Sequence, residues 1–214
     1  MKHNILITGA NGTLGNEIKT VFAADGYRVY THSLNGKANF KADFNKIKTL
    51  NHIKSVIEKN DITCIINNAG LYSNTEFTLL SDTDICKLVT VNLIAPIVLT
   101  KYLYNYVVKN KKQGLIVNIN SLAGKHPNYT EAVYCASKFG LGGFGSCLST
   151  NQQQSNISVM DCYFGGIKTN MTANRHNYNT LIEPKEVAEV ILTNINNNKT
   201  GILTSFEYRK NYGN

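Results

Sequence analysis

An apolar run at residues 4–8, Asn-Ile-Leu-Ile-Thr, passes without a break into Gly9-Ala10-Asn11-Gly12-Thr13-Leu14-Gly15. Leu14, Ile18, Val21 and Phe22 then recur at helical spacing. A short continuous apolar run marks a buried strand, and a 3.6-residue period marks a helix with one apolar face. The stretch is therefore strand, glycine turn, helix. Such strands need cover on both faces of their sheet, which directs the chain toward a parallel α/β architecture. Glycines at this corner permit tight turning and a close backbone approach to a pyrophosphate, which rests on the positive helix N-terminus.

The rest of the chain repeats the alternation. Residues 27–33 form a second strand, whose tip reads Thr31-His32-Ser33-Leu34-Asn35-Gly36-Lys37. No carboxylate stands there to bond a ribose 2′-hydroxyl. Ser33, with His32 and Lys37, suits a 2′-phosphate, and an ordinary polar turn fits the same residues equally well. Residues 38–43 are a short third strand ending at Asp43-Phe44. Ile47, Leu50, Ile53, Val56 and Ile57 return to helical spacing. Residues 62–66 are a fourth buried strand, closed by Asn67-Asn68-Ala69-Gly70. Small residues at that end let the backbone pass beneath a ligand, because open α/β sheets bind ligands beyond their strand C-termini.

Residues 84–110 are a long, mostly apolar helical stretch holding Asn92 and Pro96, with a kink expected at the proline. Residues 115–120 are a fifth strand that delivers Ser121. A helix over 131–148 follows, with Tyr134 and Lys138 four apart on one face. A nearby cation favours the ionised phenol and lowers its usual value of about 10. That makes Tyr134 a candidate general acid/base. Residues 157–163 are the sixth strand, 164–183 a loop over the site, 184–196 a helix and 202–206 a last strand. The expectation is one domain over residues 1–214: α/β, a Rossmann-type doubly wound parallel sheet of about seven strands flanked by helices.

Composition narrows the partners. The net charge of +8 comes from lysines scattered over helix faces, with no basic run interleaved with aromatics. That argues against nucleic acid. No apolar run approaches a membrane span, and the first residues lack a signal-peptide pattern. Five cysteines without a CxxC pair suggest reduced thiols and a cytoplasmic protein. The histidines show no ligand spacing, so no metal is expected.

The glycine turn, Asn67-Asn68-Ala69-Gly70, Asn92, Ser121, Tyr134 and Lys138 together make the chain similar, over nearly its whole length, to the short-chain dehydrogenase/reductase family. The resemblance implies hydride transfer between NADP(H), with NAD(H) as the alternative, and a small carbonyl or alcohol substrate. It implies a catalytic set of Asn92, Ser121, Tyr134 and Lys138, with Ser121 donating to the carbonyl oxygen and Asn92 ordering a water beside Lys138. Lys138 would also hold the nicotinamide ribose. By the same resemblance, Gly9, Asn11, Thr13, Leu14 and Gly15 form the pyrophosphate turn, and Ser33, Asp43 and Phe44 meet the adenosine. Asn68, Ala69 and Gly70 underlie the nicotinamide ribose, and Ile167 and Thr169 clamp the carboxamide. Relatives pair their equivalents of the two long helices across a two-fold axis, implying a homodimer or homotetramer.

Three departures stand out. The glycine spacing is TGxxGxxG, with Thr13 where glycine is usual, a spacing that resembles the larger sugar-nucleotide epimerase branch. Phe164 replaces the usual proline of the clamp, which is expected to loosen that loop. The chain after Thr169 is short, so the lid should be small. Lys125, His126, Tyr129, Arg175 and His176 lie in loops expected to border an anionic substrate. Two further readings are a small sugar-nucleotide or sugar-phosphate reductase and a catalytically silent NADP-sensing regulatory or binding protein.

Overall fold

The computed structural model describes residues 3–197 and 204–210. The strands are β1 (Asn4–Ile7), β2 (Arg28–Ser33), β3 (Phe40–Lys41), β4 (Ile62–Asn67), β5 (Gly114–Ser121), β6 (Ile157–Phe164) and β7 (Ser205–Tyr208). They form one sheet in the order β3-β2-β1-β4-β5-β6-β7, and every pairing is parallel. The helices are α1 (Thr13–Ala24), α2 (Asn51–Lys59), α3 (Asp82–Val89), α4 (Ala95–Lys109), α5 (Ala132–Ser149), the single turn α6 (Gln152–Ser155) and α7 (Pro184–Asn197). The strand order reverses between β1 and β4, so a crevice opens there beyond the strand C-termini.

The period-2 alternation of the strands divides the core into two layers. Ile5, Ile7, Val117, Ile119 and Cys162 pack with Leu14, Ile18 and Phe22 of α1 and Val187 and Ile191 of α7. Leu6, Ile65, Ile116 and Val159 pack with Ile53 and Ile57 of α2 and Leu99, Leu103 and Val107 of α4. The helical run Asp82–Lys109 is in fact long and apolar enough, by length and composition, to cross a membrane. Here it lies against the sheet with the Leu99, Leu103 and Val107 stripe fully buried.

Three local expectations need correction. The third strand is only Phe40–Lys41. The last strand is Ser205–Tyr208 rather than 202–206, and Ile202 lies outside the described residues. The long helical stretch is interrupted by a π turn over Thr90–Ile94, in which the Ala95 amide reaches back to the Thr90 carbonyl. Pro96 explains its position: it has no N–H to give the Asn92 carbonyl, so the ladder widens just before it.

Toward the strand C-termini, the layer facing α5 turns polar. Asn67 of β4 donates to Asn118 of β5 at 2.9 Å, and Asn118 donates to Asp161 of β6 at 2.8 Å. Asn120 and Tyr163, paired across β5 and β6, continue the same faces. Helix α5 makes room with glycine. A Cβ on Gly145 would stand 2.1 Å from an Asp161 carboxylate oxygen, and one on Gly142 would stand 2.2 Å from the Tyr163 hydroxyl. Burial pushes the Asp161 carboxyl up to about 6, against the pull of its Asn118 bond and of the Lys125 charge.

That shift sets a sign for stability. The folded-state value lies above the unfolded one, so the fold favours the protonated acid. The penalty is absent below about pH 4, grows as pH rises and is complete above about pH 6. Asp161→Asn should therefore stabilise the protein at pH 8 by up to about 3 kcal/mol, with the difference vanishing at pH 4. Urea unfolding of both proteins at the two pH values checks this; an equal or lower stability of the variant at pH 8 would contradict it.

Candidate active site

The tips of β1 and β4 are stitched together at the crevice floor. The Thr8 hydroxyl accepts from the Asn68 and Ala69 amides, both at 3.0 Å. The Asn68 side chain donates to the Thr8 and Gly9 carbonyls at 2.8 and 3.3 Å. Gly9 has φ +66, and a Cβ there would stand 2.9 Å from the Ala69 Cα. A Cβ on Gly15 would stand 2.3 Å from the Gly9 carbonyl oxygen. Only bare backbone fits this corner. Helix α1 starts at Thr13 with no side chain capping it and no acid in its first turn, which leaves its amides and dipole directed at the cleft.

A cleft of about 720 Å³ runs from this turn along the strand ends. One end is lined by Ser33, Asp43 and Phe44, the middle by Gly9, Thr13, Leu14, Gly15, Asn68, Ala69 and Gly70, and the other end by Ser121, Tyr134, Lys138, Ile167 and Thr169. An elongated site with an uncapped helix N-terminus and a backbone-only cradle midway along it fits a dinucleotide.

Two expected contributors lie elsewhere. Asn11 does not line the cleft; its exposed amide donates to the Asn35 carbonyl at 2.5 Å and ties the glycine turn to the loop after β2. Asn92 is 1% exposed and also outside the lining. Its side chain accepts from the Leu71 amide at 2.7 Å, donates to the Leu71 carbonyl at 2.8 Å and to Ser137 at 3.1 Å. Its side chain clamps the loop after Gly70 onto α5.

The tip of β2 also differs from expectation. His32 is 3% exposed and stacks on Phe44, with ring centroids 4.1 Å apart. Its Nε2 pairs with the Ala42 carbonyl at 3.0 Å, and its Nδ1 receives the Gly9 amide at 3.5 Å. Burial lowers its pKa to about 4, so at neutral pH it is an uncharged wedge behind Phe44. Lys37 is exposed and outside the cleft lining. Ser33 alone of the three presents a donor to the cleft.

At the far end, β5 and α5 meet tightly. The Lys138 ammonium donates to the Ile119 carbonyl at 2.9 Å, and Asn120 donates to the Lys138 carbonyl at 3.2 Å. A Cβ on Gly124 would stand 3.0 Å from the Lys138 carbonyl oxygen. This contact sets Ser121 beside the Tyr134 phenol, near enough to favour its ionised form. The Lys138 Nζ lies 5.9 Å from the centre of the Tyr134 ring.

The electrostatics overturn one expectation. Burial raises Tyr134 to about 12, with the Ser121 bond pulling it down and Glu131 pushing it up. Burial also lowers Lys138 to about 8. In the protein alone, desolvation outweighs the Ser121 and Arg175 contributions that favour the phenolate.

The loop after β6 is held rather than loosened. Phe164 is 1% exposed and packs edge-on against Phe206, with centroids 5.7 Å apart. Ile167 bridges Ile182, the Lys168 amide reaches the Ile182 carbonyl at 2.9 Å, and Thr172 donates to the Ile167 carbonyl at 2.6 Å. Of the loop residues expected at the substrate, His126 and Arg175 line the cleft, while Lys125, Tyr129 and His176 do not. Lys125 instead pairs with Glu207 of β7 at 3.0 Å.

Tyr72 and Glu131 belong to no motif in the sequence. They meet Arg175 at the cleft wall, and Tyr72 stands edge-on to Tyr134 with centroids 5.1 Å apart. The three come from three separate loops, and no spacing in the sequence links them.

The model of the family described as "short chain dehydrogenase" matches residues 3–179. A 3-oxoacyl-[acyl-carrier-protein] reductase of Buchnera aphidicola subsp. Schizaphis graminum is 32% identical over 188 residues, covering 81% of this chain and 77% of that protein. Nodulation protein G of Rhizobium sp. (strain N33) is 31% identical over 182 residues, covering 78% and 74%. Among solved structures, 4-hydroxyisoleucine dehydrogenase complexed with NADH superposes with a TM-score of 0.85 at 25% identity, covering 96% of each chain.

Proposed function

The chain belongs to the short-chain dehydrogenase family and is an oxidoreductase; from that premise we propose that it transfers a hydride between NAD(P)(H) and a small carbonyl/alcohol pair, with Tyr134 moving the proton. The observation that carries this reading is the convergence of Ser121, Tyr134 and Lys138 at one end of a cleft whose middle is the Gly9–Gly15 cradle. The nicotinamide supplies or accepts the hydride.

The side chains do the rest. Ser121 donates to the substrate oxygen and holds it beside the Tyr134 hydroxyl, which gives up its proton as negative charge grows on that oxygen. Lys138 holds a ribose and, when charged, stabilises the tyrosinate left behind. Asn92 is a positioning residue, fixing the loop after Gly70 against α5. All three groups around the proton are present, which favours an enzyme over a silent sensor.

For the coenzyme, the β2 tip offers neither a carboxylate nor a cation to the ribose: His32 is neutral and Lys37 is not part of the lining. The charge argument for NADP(H) therefore falls away, and Ser33 accepts either ribose. We expect use of both coenzymes, with dissociation constants within about tenfold of each other.

Kinetics on a panel of ketones and alcohols test both points. Tyr134→Phe keeps the ring and removes the hydroxyl, so kcat should fall by about 10²–10⁴ while coenzyme affinity barely changes. Wild-type turnover by the variant on a true substrate would overturn the assignment. Fluorescence titration with NADH and NADPH gives the second answer, and a hundredfold preference for either would contradict dual use.

A further inference from the structure

The substrate end of the cleft carries two opposite charges side by side. The Tyr72 hydroxyl donates to Glu131 at 2.7 Å, and Arg175 Nη2 donates to the Tyr72 oxygen at 2.9 Å. The same Nη2 lies 3.4 Å from the Glu131 oxygen. The guanidinium stands 5.1 Å over the Tyr72 ring, and that ring stands edge-on to Tyr134. Glu131 is 13% exposed and Arg175 35%, and all three residues line the cleft.

This pair is loosely made. An arginine–carboxylate bridge at full strength uses two parallel N–H donors and both carboxylate oxygens. Here a single nitrogen and a single oxygen meet, at a long distance. Among the described residues, no protein acceptor takes Arg175 Nη1, which lies over Gly166, and no protein donor takes the second Glu131 oxygen. Each charge thus keeps hydrogen-bonding capacity on the wall of a ligand cleft. Placing half-buried charges there costs desolvation that a neutral substrate would deepen.

A ligand with a lone carboxylate would satisfy Arg175 and be repelled by Glu131 beside it; a lone amine would meet the reverse. A zwitterion satisfies both, since an α-amino acid carries its ammonium and its carboxylate on one carbon. Resting on the oxidoreductase reading, we infer that the substrate is an α-amino acid bearing a hydroxyl or carbonyl on its side chain, with its carboxylate on Arg175, its ammonium on Glu131 and its reacting carbon beside Ser121 and Tyr134. In the oxidising direction that carbon's hydrogen leaves as hydride to NAD(P)⁺, the hydroxyl proton leaves through Tyr134, and the products are the oxo amino acid and NAD(P)H.

The test compares matched compounds. Threonine, 3-hydroxybutyrate and 1-aminopropan-2-ol share one reacting centre but differ in carrying both charges, the carboxylate alone or the ammonium alone. A 4-hydroxy amino acid with its deaminated and its decarboxylated partner extends the series by one carbon. For at least one set, kcat/KM for the amino acid should exceed that of both partners by about tenfold or more. Glu131→Gln should shrink the ratio of amino acid to hydroxy acid, and Arg175→Met the ratio of amino acid to amino alcohol, each by about tenfold. Because each ratio is taken within one protein, a general loss of fold cancels.

Flat ratios in the wild type, or ratios unmoved in the variants, overturn the inference. Turnover of neutral alcohols with flat ratios leaves the oxidoreductase reading standing. If no compound turns over, calorimetric binding of the same amino acids to the NADH-loaded protein decides: binding weakened by both variants supports the subsite while the proposed chemistry fails, and no binding overturns both.

Discussion

The clasp between β5 and α5 is the contact on which the site depends. The Lys138 side chain returns to the Ile119 carbonyl, and the Asn120 side chain returns to the Lys138 carbonyl. Two hydrogen bonds thus run in opposite senses between the strand that ends at Ser121 and the helix that carries Tyr134. Buried hydrogen bonds of this kind are worth most as geometry, because leaving either partner unmatched costs about 1–3 kcal/mol. The Ser121–Tyr134 distance is therefore fixed by neighbours that do not themselves react.

The clasp needs close approach, and the chain provides it by exchanging volume between layers. Gly142 and Gly145 on α5 make space that Tyr163 and Asp161 fill from β6. The resulting polar layer of Asn67, Asn118, Asn120, Asp161 and Tyr163 sits directly behind the functional ends of three strands. Asn67 precedes Asn68 of the floor, and Asn120 precedes Ser121. The layer costs stability through the buried Asp161 carboxyl, and it ties those strand ends to one another in a way that an apolar layer, free to slide, would not.

Much of this was legible in the sequence where the determinant is local. The β1–glycine–α1 corner shows itself through an apolar run and residues that lack a Cβ, and Tyr134 and Lys138 through helical period alone. What was hidden is tertiary. His32 looks like a cation beside a phosphate until Phe44 and the Ala42 carbonyl bury it. The side-chain bonds by which Asn92 clamps the loop after Gly70, at a π turn ahead of Pro96, have no local signature either. Asn11 serves the loop after β2 rather than the cleft. Phe164 replaces a proline without loosening its loop, since Phe206 and Tyr208, from a strand forty residues on, hold it by aromatic contact. Tyr72, Glu131 and Arg175 converge from three loops that no periodicity connects.

The proposed acid/base chemistry turns on charge. Burial holds the Tyr134 phenol at about 12 and the Lys138 amine at about 8 in the protein alone. In the proposed reaction, a bound cationic nicotinamide and a charged Lys138 would favour the tyrosinate and so make the pair a working acid/base. The direct measurement is ¹³C NMR of the protein labelled at the tyrosine ring Cζ, with Tyr134→Phe to assign the resonance, titrated with and without NAD⁺. Tyr134 should show no ionisation below about pH 11 in the free protein and should ionise at about pH 9 or lower in the complex. A Tyr134 that titrates near the ordinary value of about 10 in both states would contradict this.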